Sequence, residues 1–296
     1  MSLTDPDLRR TWLFGPGADA GVHAAMLASG ADVLIFDLED FTPAARRDEA
    51  RGLLAGLVQQ CRARNCMAAV RINALEAEGA TDLAAALAAG PDVIAYPMTE
   101  QPAQMVALDA AIGRWENAER HAAPIEILPV CETARGVVEV RAIAAASPRI
   151  RCALLGAEDL AADLCAERGA DAVELDHARR RFVLECRAAR IEPVDAPYTF
   201  SDLDGAVREA HYARRLGYRS KALVRPEHAA ALNAALTPDA AACERAMRLV
   251  DAFEAARARG EDRALVDGLW VEVPAYRNAR LLLERARRLA DGGRSS

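Results

Sequence analysis

The chain has 296 residues, about half of them apolar, and a formal net charge of −7, enough for one large α/β domain with an appendage or two ordinary domains around a sizeable core. The acidic balance argues against a nucleic-acid partner, although a local basic patch could still serve an anionic ligand. No uninterrupted apolar run approaches the ~20 residues of a membrane-spanning helix, and Met1 leads into TDPDLRR without the apolar stretch of a secretion signal, so a cytoplasmic protein with no membrane partner is expected.

Short apolar runs alternate with helix-like segments in chain order: residues 11–14 (TWLF), 32–38 (DVLIFDL), 67–72 (MAAVRI), 92–98 (DVIAYPM), 125–131 (IEILPVC), 151–156 (RCALLG), 192–198 (EPVDAPY) and 220–225 (SKALVR). Each is followed by a helix candidate, such as DEARGLLAGLVQQCRAR after the second. Regular strand–helix alternation is the pattern of βαβ units and a parallel sheet. Eight repeats predict an α/β fold of the (β/α)8 TIM-barrel type over residues 1–235, with a doubly wound open sheet as the alternative, because counting strands does not prove closure. From residue 236 to 296 the rhythm changes to a C-terminal helical extension. It has one long helix, a hairpin with its turn at Asp267-Gly268, a second helix from Ala275, and a polar end, DGGRSS, expected to be disordered. This extension could cover the barrel mouth or a neighbouring subunit.

In such barrels the residues just past the C-terminal strand ends form the active face. Here those ends read GPG, DLED, RIN, PMTE, CETARG and GAEDL, more charge than strand capping needs. Glu132 and Asp159 close consecutive strands and would sit side by side on the rim. Two carboxylates around open space suit Mg2+, which keeps several waters and needs only one or two protein carboxylates. Otherwise both are first-turn acids favoured by the helix dipole. Arg71, ending the third strand, either pairs with Asp37 or Glu39 or presents its planar fork to an anionic ligand. Asp37 and Glu39 could also hold metal-bound waters. The turn Gly156-Ala157-Glu158-Asp159 offers backbone amides to a carboxylate or phosphate, or is a tight turn and nothing more. GPGAD at 15–19 lacks the glycine spacing of a dinucleotide site.

Other chemistries find less support. The one lysine, Lys221, opens the eighth strand on the stability face, which disfavours an imine mechanism. His23, His121, His177, His211 and His228 fall in helical segments without metal-ligand spacing and are expected to be exposed, which disfavours a zinc site or a Ser-His-Asp triad. Seven cysteines with no C-x-x-C pair read as buried free thiols in a reducing compartment.

LFGPGA, DVLIFDLEDFTP, VRIN, ETARGV, LLGAEDLAADL, KALVRPEH and a late DG strand before an Arg-rich helix together resemble the citrate lyase β-subunit-like family, over residues 9 to 290. Malyl-CoA, β-methylmalyl-CoA and citramalyl-CoA lyases are among its members. The resemblance implies a TIM barrel, a homotrimer or higher homo-oligomer, with Mg2+ held by Glu132 and Asp159. Arg71 would hold substrate oxygens, the amides at Gly156 to Asp159 would receive the substrate carboxylate, and Arg10 would bind the phosphates of CoA, which is part of the substrate. The implied activity is cleavage or formation of a short 3-hydroxyacyl-CoA from an acyl-CoA and a 2-oxo acid.

Three positions depart from the family pattern: Met98 in place of a lysine, Arg225 in place of a histidine, and Glu272 in place of the aspartate of the late motif. That aspartate is implicated in proton transfer, often from an adjacent subunit, so Glu272 is the matching candidate. The competing readings are a metal-dependent aldolase on a CoA-free 2-oxo acid, whose members carry a histidine in the position of Asp40, and a non-catalytic binder of acyl-CoA or dicarboxylates.

Overall fold

The computed structural model describes residues 3, 5–119 and 124–293. Leu3–Leu236 form one compact unit and the chain from Thr237 onward a second. In the first, eight parallel strands, β1 (Thr11–Pro16), β2 (Val33–Asp37), β3 (Met67–Arg71), β4 (Val93–Tyr96), β5 (Glu126–Cys131), β6 (Cys152–Leu155), β7 (Glu192–Tyr198) and β8 (Ser220–Leu223), follow one another around a closed barrel. The pairing of β1 with both β2 and β8 excludes the open sheet. The surrounding helices are α1 (Ala20–Ala28), α2 (Arg47–Ala63), α3 (Ala80–Ala89), α4 (Pro102–Glu119), α5 (Ala134–Ala145), α6 (Glu158–Asp163), α7 (Asp176–Ala189), α8 (Leu203–Leu216) and α9 (Ala229–Leu236).

The strands read as continuous apolar runs because both their faces are buried. Trp12, Phe14, Val33, Ile35, Ala69, Val93, Ala95, Leu128, Val130, Cys152, Leu154, Val194 and Ala222 fill the barrel interior. The alternate residues, among them Leu34, Phe36, Val70, Ile94, Ile127 and Leu155, pack beneath the helices. Each large aliphatic side chain so buried contributes roughly 1.5–3 kcal/mol. The period of two then decides which residues top the interior: one further step brings Asp37, Arg71, Glu132, Gly156 and Val224 to the C-terminal rim.

The opposite rim is closed by ion pairs. Arg9 is fully buried and bidentate on Glu126, at 2.6 and 2.8 Å, and Arg10 is bidentate on Asp32, at 3.0 and 2.8 Å. Lys221, on the helix side of β8, is also fully buried, with Nζ 2.7 Å from Asp195 and 2.9 Å from Glu209. Arg179 of α7 completes this group by gripping Asp195.

The exposure expected of the histidines fails at two of them. His23 is buried with Nε2 2.7 Å from the Pro16 carbonyl and its ring edge-on to Phe36, and His228 is buried beside the Ser201 carbonyl. His23 faces inward together with Met26 on α1, and His228 ends the short 3-10 turn that leads into α9. His177 and His211 are exposed; His121 lies outside the described residues. Of the free cysteines, Cys61, Cys131, Cys152 and Cys186 are buried, Cys66 and Cys243 half-buried, and Cys165 exposed.

In the second unit α10 (Ala240–Ala258) packs along α11 (Val273–Gly293), and β9 (Ala264–Val266) pairs antiparallel with β10 (Leu269–Val271). Asp267 and Gly268 both have positive φ, 51° and 77°, as a two-residue type I′ hairpin requires. Phe253, Ala256, Ala264 and Val271 form its core, and Tyr276 stacks on Phe253 at 4.7 Å between centroids. The end expected to be disordered is helical as far as Gly293; residues 294–296 lie outside the described residues. Among the described residues no helix is long and apolar enough to cross a membrane.

Candidate active site

The C-terminal ends of the barrel strands enclose a cavity of about 220 Å³. Its apolar walls are Phe14, Phe41, Val130, Leu154, Ala157, Pro197 and Val224, and its polar ones Asp40, Arg71, Glu132, Gly156, Glu158, Asp159 and Thr199.

Glu132 follows β5 because the strand must stop there: Thr133 caps α5 through its hydroxyl, which accepts from the Gly136 amide at 3.1 Å. The Glu132 side chain is only 4% exposed, and its Oε1 accepts from the Met98 amide at 2.8 Å. Met98 holds a left-handed backbone, φ 43°, uncommon for a residue with a side chain. Burial pushes the Glu132 carboxyl up to about 7, resisted by the Met98 amide and Arg71 and reinforced by the charges of Asp159 and Asp40.

Gly156 makes room for this carboxylate. A Cβ there would stand 2.3 Å from Glu132 Cβ and 2.9 Å from Glu132 Oε2. Its amide is committed to the sheet, donating to the Cys131 carbonyl at 3.0 Å. That corrects the expectation that all four turn amides face a ligand. The amides of Ala157, Glu158 and Asp159 stand at the start of α6, where the helix supplies no acceptor. Asp159 is exposed on the cavity wall. Glu158 accepts from Thr199 at 2.6 Å and pairs with Arg168 at 3.2 Å.

Arg71 combines both alternatives open in the sequence, since it is ion-paired and still lines the cavity. Its Nε and Nη2 donate to the two oxygens of Asp37 at 2.7 and 2.6 Å, and Nη1 lies 2.7 Å from Glu39 Oε2. Phe14 and Phe41 stand over the guanidinium at 5.3 and 5.5 Å, an arrangement that suits its planar cation. Asp37, fully buried, also accepts from the amides of Glu39 and Phe41, so one carboxylate shapes the loop after β2 and aims Arg71. Glu39 is close to Arg71 without hydrogen-bond alignment, and burial outweighs that cation and pushes the Glu39 carboxyl up to about 8.

Glu132, Asp159, Arg71, Gly156, Ala157 and Glu158 therefore converge on one cavity, with Asp37 and Glu39 behind Arg71. Arg10 does not join them. It precedes β1, where the barrel presents strand beginnings, and Asp32 holds it there. Glu272 belongs to the second unit, exposed after β10, where it lines a separate cavity with Arg257, Asp262 and Arg263. Phe14, Phe41, Thr199 and Val224 were not singled out by the sequence. Phe41 had a legible signal, an aromatic directly after DLED where a loop residue would ordinarily be polar.

A (β/α)8 barrel whose C-terminal mouth gathers carboxylates around a small half-apolar cavity defines a class of barrel enzyme acting on a small polar substrate. Comparison places the chain within it. The family model for HpcH/HpaI aldolase/citrate lyase matches residues 10–226, and the chain belongs to that family. It is 32% identical to the citrate lyase subunit beta of Haemophilus influenzae over 95% of this chain and 97% of that one. It is 30% identical to the L-malyl-CoA/beta-methylmalyl-CoA lyase of Cereibacter sphaeroides over 94% of each. The crystal structure of CitE from Mycobacterium tuberculosis in complex with magnesium, acetoacetate and coenzyme A superposes with a TM-score of 0.76 at 29% identity, over 94% of this chain and 97% of that one.

Proposed function

We propose that this protein is an Mg2+-dependent carbon–carbon lyase that cleaves, or forms, a short 3-hydroxyacyl-CoA such as malyl-CoA, citramalyl-CoA or citryl-CoA, the other products being an acyl-CoA and a 2-oxo acid. The observation that carries the reading is the charge of the mouth. Asp40, Glu132, Glu158 and Asp159 line it, and Arg71, the one cationic side chain lining it among the described residues, is already balanced by Asp37 and Glu39. An anionic 2-oxo acid does not enter an acidic cavity unless a cation accompanies it.

The donor set suits Mg2+. Among the described residues no group of three or more His, Cys, Asp or Glu side chains could hold a metal, which disfavours zinc. Mg2+ is satisfied by one or two carboxylates and its own waters, and Glu132 and Asp159 would hold it. Bound there, the ion supplies Lewis acidity for an oxygen that gains negative charge. The relative crystallised with magnesium, acetoacetate and coenzyme A supports the same assignment.

The rest falls to the chain. Two of the five guanidinium N–H groups of Arg71 donate to Asp37, and Nη1 stands beside Glu39 without donating to it, so N–H groups remain to orient substrate oxygens. The amides of Ala157, Glu158 and Asp159 receive the substrate carboxylate. Phe14, Val130 and Leu154 keep water from the reacting carbons. Glu272, brought from a neighbouring copy, transfers the proton at the acyl carbon.

The division into a catalytic domain of residues 1–235 and an extension of 236–296 that serves as lid or subunit contact belongs to this reading, as does a homotrimer. Leu265, Leu269 and Trp270 are exposed on the hairpin at 61%, 73% and 57%, which suits burial against a second copy. Free buried thiols suit a reducing, cytoplasmic setting.

The test is release of a 2-oxo acid from malyl-CoA, citramalyl-CoA and citryl-CoA, with and without Mg2+. Mg2+-dependent release from any of the three is expected. Cleavage of CoA-free hydroxy-oxo acids alone would instead assign the aldolase chemistry.

A further inference from the structure

The proposed reading leaves open which 2-oxo acid the cavity takes, and the balance of charge along its wall discriminates. A 2-oxo acid presents one carboxylate and one oxo group, which chelate a metal together. Oxaloacetate adds a second carboxylate two bonds further on, and that group needs its own cation or its own donors, because an unpaired carboxylate against apolar or acidic walls is strongly disfavoured.

Neither is provided. Among the described residues Arg71 is the only cationic side chain lining the cavity, and Asp37 and Glu39 balance its charge. The nearby cations are engaged elsewhere: Arg168 is bound to Glu158 and Glu174 and lies over Phe200, and Arg225 is paired with Glu227. An Mg2+ held by Glu132 and Asp159 would have its two charges matched by theirs, and Asp40 remains on the wall after it is counted, Glu158 being paired with Arg168. What is left of the wall is Phe14, Phe41, Val130, Leu154, Ala157, Pro197 and Val224, with the Thr199 hydroxyl already donated to Glu158 at 2.6 Å.

We infer that the site selects 2-oxo monocarboxylic acids carrying hydrogen or a short alkyl group, the class of glyoxylate and pyruvate, and rejects 2-oxo dicarboxylic acids. On that basis the acyl-CoA partner is of the malyl- or citramalyl-CoA kind rather than citryl-CoA. The inference rests on the lyase reading above and deepens it.

Calorimetric titration of the full-length protein in Mg2+ tests it, with pyruvate, oxaloacetate and 2-oxopentanoate as ligands. The last, one carbon longer, puts a methyl where oxaloacetate has a carboxylate oxygen, and so matches its reach without the second charge. Pyruvate and 2-oxopentanoate should bind with Mg2+ dependence, and oxaloacetate about tenfold or more weaker than either. Oxaloacetate binding as tightly as pyruvate overturns the inference alone and leaves the lyase reading standing. Equal rejection of oxaloacetate and 2-oxopentanoate also overturns it, because size would then be the discriminator. Binding of none of the three would remove the lyase reading and this inference together. Placing a cation on the wall gives an independent readout: Val224→Arg, or Phe41→Arg on the exposed loop, should narrow the pyruvate-to-oxaloacetate ratio about tenfold. An unchanged ratio in a folded variant counts against the charge argument.

Discussion

Gly156 and Glu132 interlock: the absent side chain of the first is the space occupied by the second, with a hypothetical Cβ 2.3 Å from Glu132 Cβ and 3.2 Å from its Cα. Neither neighbour is the far end of a flexible chain, so Gly156→Ala must move the main chain or turn the carboxylate out of place. Catalytic geometry is sensitive to displacements of about 1 Å, which cost on the order of 100-fold. Gly156→Ala should therefore lose about that factor in kcat at saturating Mg2+, while overpacking costs about 1–3 kcal/mol of stability and leaves a folded barrel. Full activity in the variant would mean that Glu132 is not where the chemistry happens.

Stability of the metal-free protein should depend on pH in a direction set by Glu132. Burial holds its folded carboxyl at about 7, against 4.5 for the free group. Below about pH 4.5 the group is protonated in both states. Between 4.5 and 7 the unfolded chain ionises first, so the contribution to folding falls as pH rises and is gone above about 7, a loss of up to ~3 kcal/mol. Glu39, raised to about 8, acts in the same direction. Mg2+ binds the ionised form and should restore the loss. Thermal melts from pH 5 to 8 with and without Mg2+ check this: Tm should fall with pH more steeply in the metal-free protein, and Glu132→Gln should reduce the fall to the share of Glu39 and abolish the rescue.

Much of this site was legible because a barrel strand has a period of two. Once TWLF, DVLIFDL, AVRIN, ILPVCE and CALLG are taken as strands, Asp37, Arg71, Glu132 and Gly156 all fall on the interior face at the C-terminal rim, and strand order makes Glu132 and Asp159 neighbours. Arg10 follows the same rule: it precedes its strand, and chain direction puts it at the rim of strand beginnings, beside Asp32. Pairing within the sequence could not be read, because Arg71 had several acids within reach. Its double engagement by Asp37 and Glu39 depends on the loop that Asp37 itself folds. The buried histidines show the same limit, since a helix declares its inner stripe only once the partner surface is known.

Asp37 is the structural counterweight to Arg71. Asp37→Asn would keep the shape but remove the charge, leaving the guanidinium to Glu39 alone in a nearly closed site. Breaking one partner of a buried pair costs about 3–5 kcal/mol, and the loop amides of Glu39 and Phe41 would lose a charged acceptor. Denaturant titration should show that loss, together with a rise in KM as the Phe41 loop loosens. An unaltered midpoint would mean that Glu39 suffices.

Lys221 should matter to folding and not to chemistry. Its ammonium is enclosed by Asp195, Glu209 and the Ala196 carbonyl between the barrel and its helices, so Lys221→Met leaves those carboxylates to Arg179 and should cost about 3–5 kcal/mol. Borohydride added with pyruvate traps an imine only if an amine reaches the substrate. Treatment of the wild-type enzyme should leave activity intact and mass unchanged. A covalent adduct on Lys221 would require the barrel to open and would replace the metal-assisted mechanism with an imine one.

Glu272 separates a proton-transfer role from a surface one by the difference between two substitutions. The residue is exposed, directly after β10, and shares its surroundings with Arg257, Asp262 and Arg263, so neither Glu272→Gln nor Glu272→Asp should shift Tm appreciably. If its carboxylate moves the proton at the acyl carbon, Glu272→Gln loses about 100-fold or more in kcat, the usual scale of general acid–base catalysis, with KM little changed. Glu272→Asp then retains more activity than Glu272→Gln, because the titrating group survives at a reach one methylene shorter. Equal, modest losses in both variants would leave the carboxylate as one member of a surface ion cluster and send the search for the proton-transfer group back to the barrel mouth.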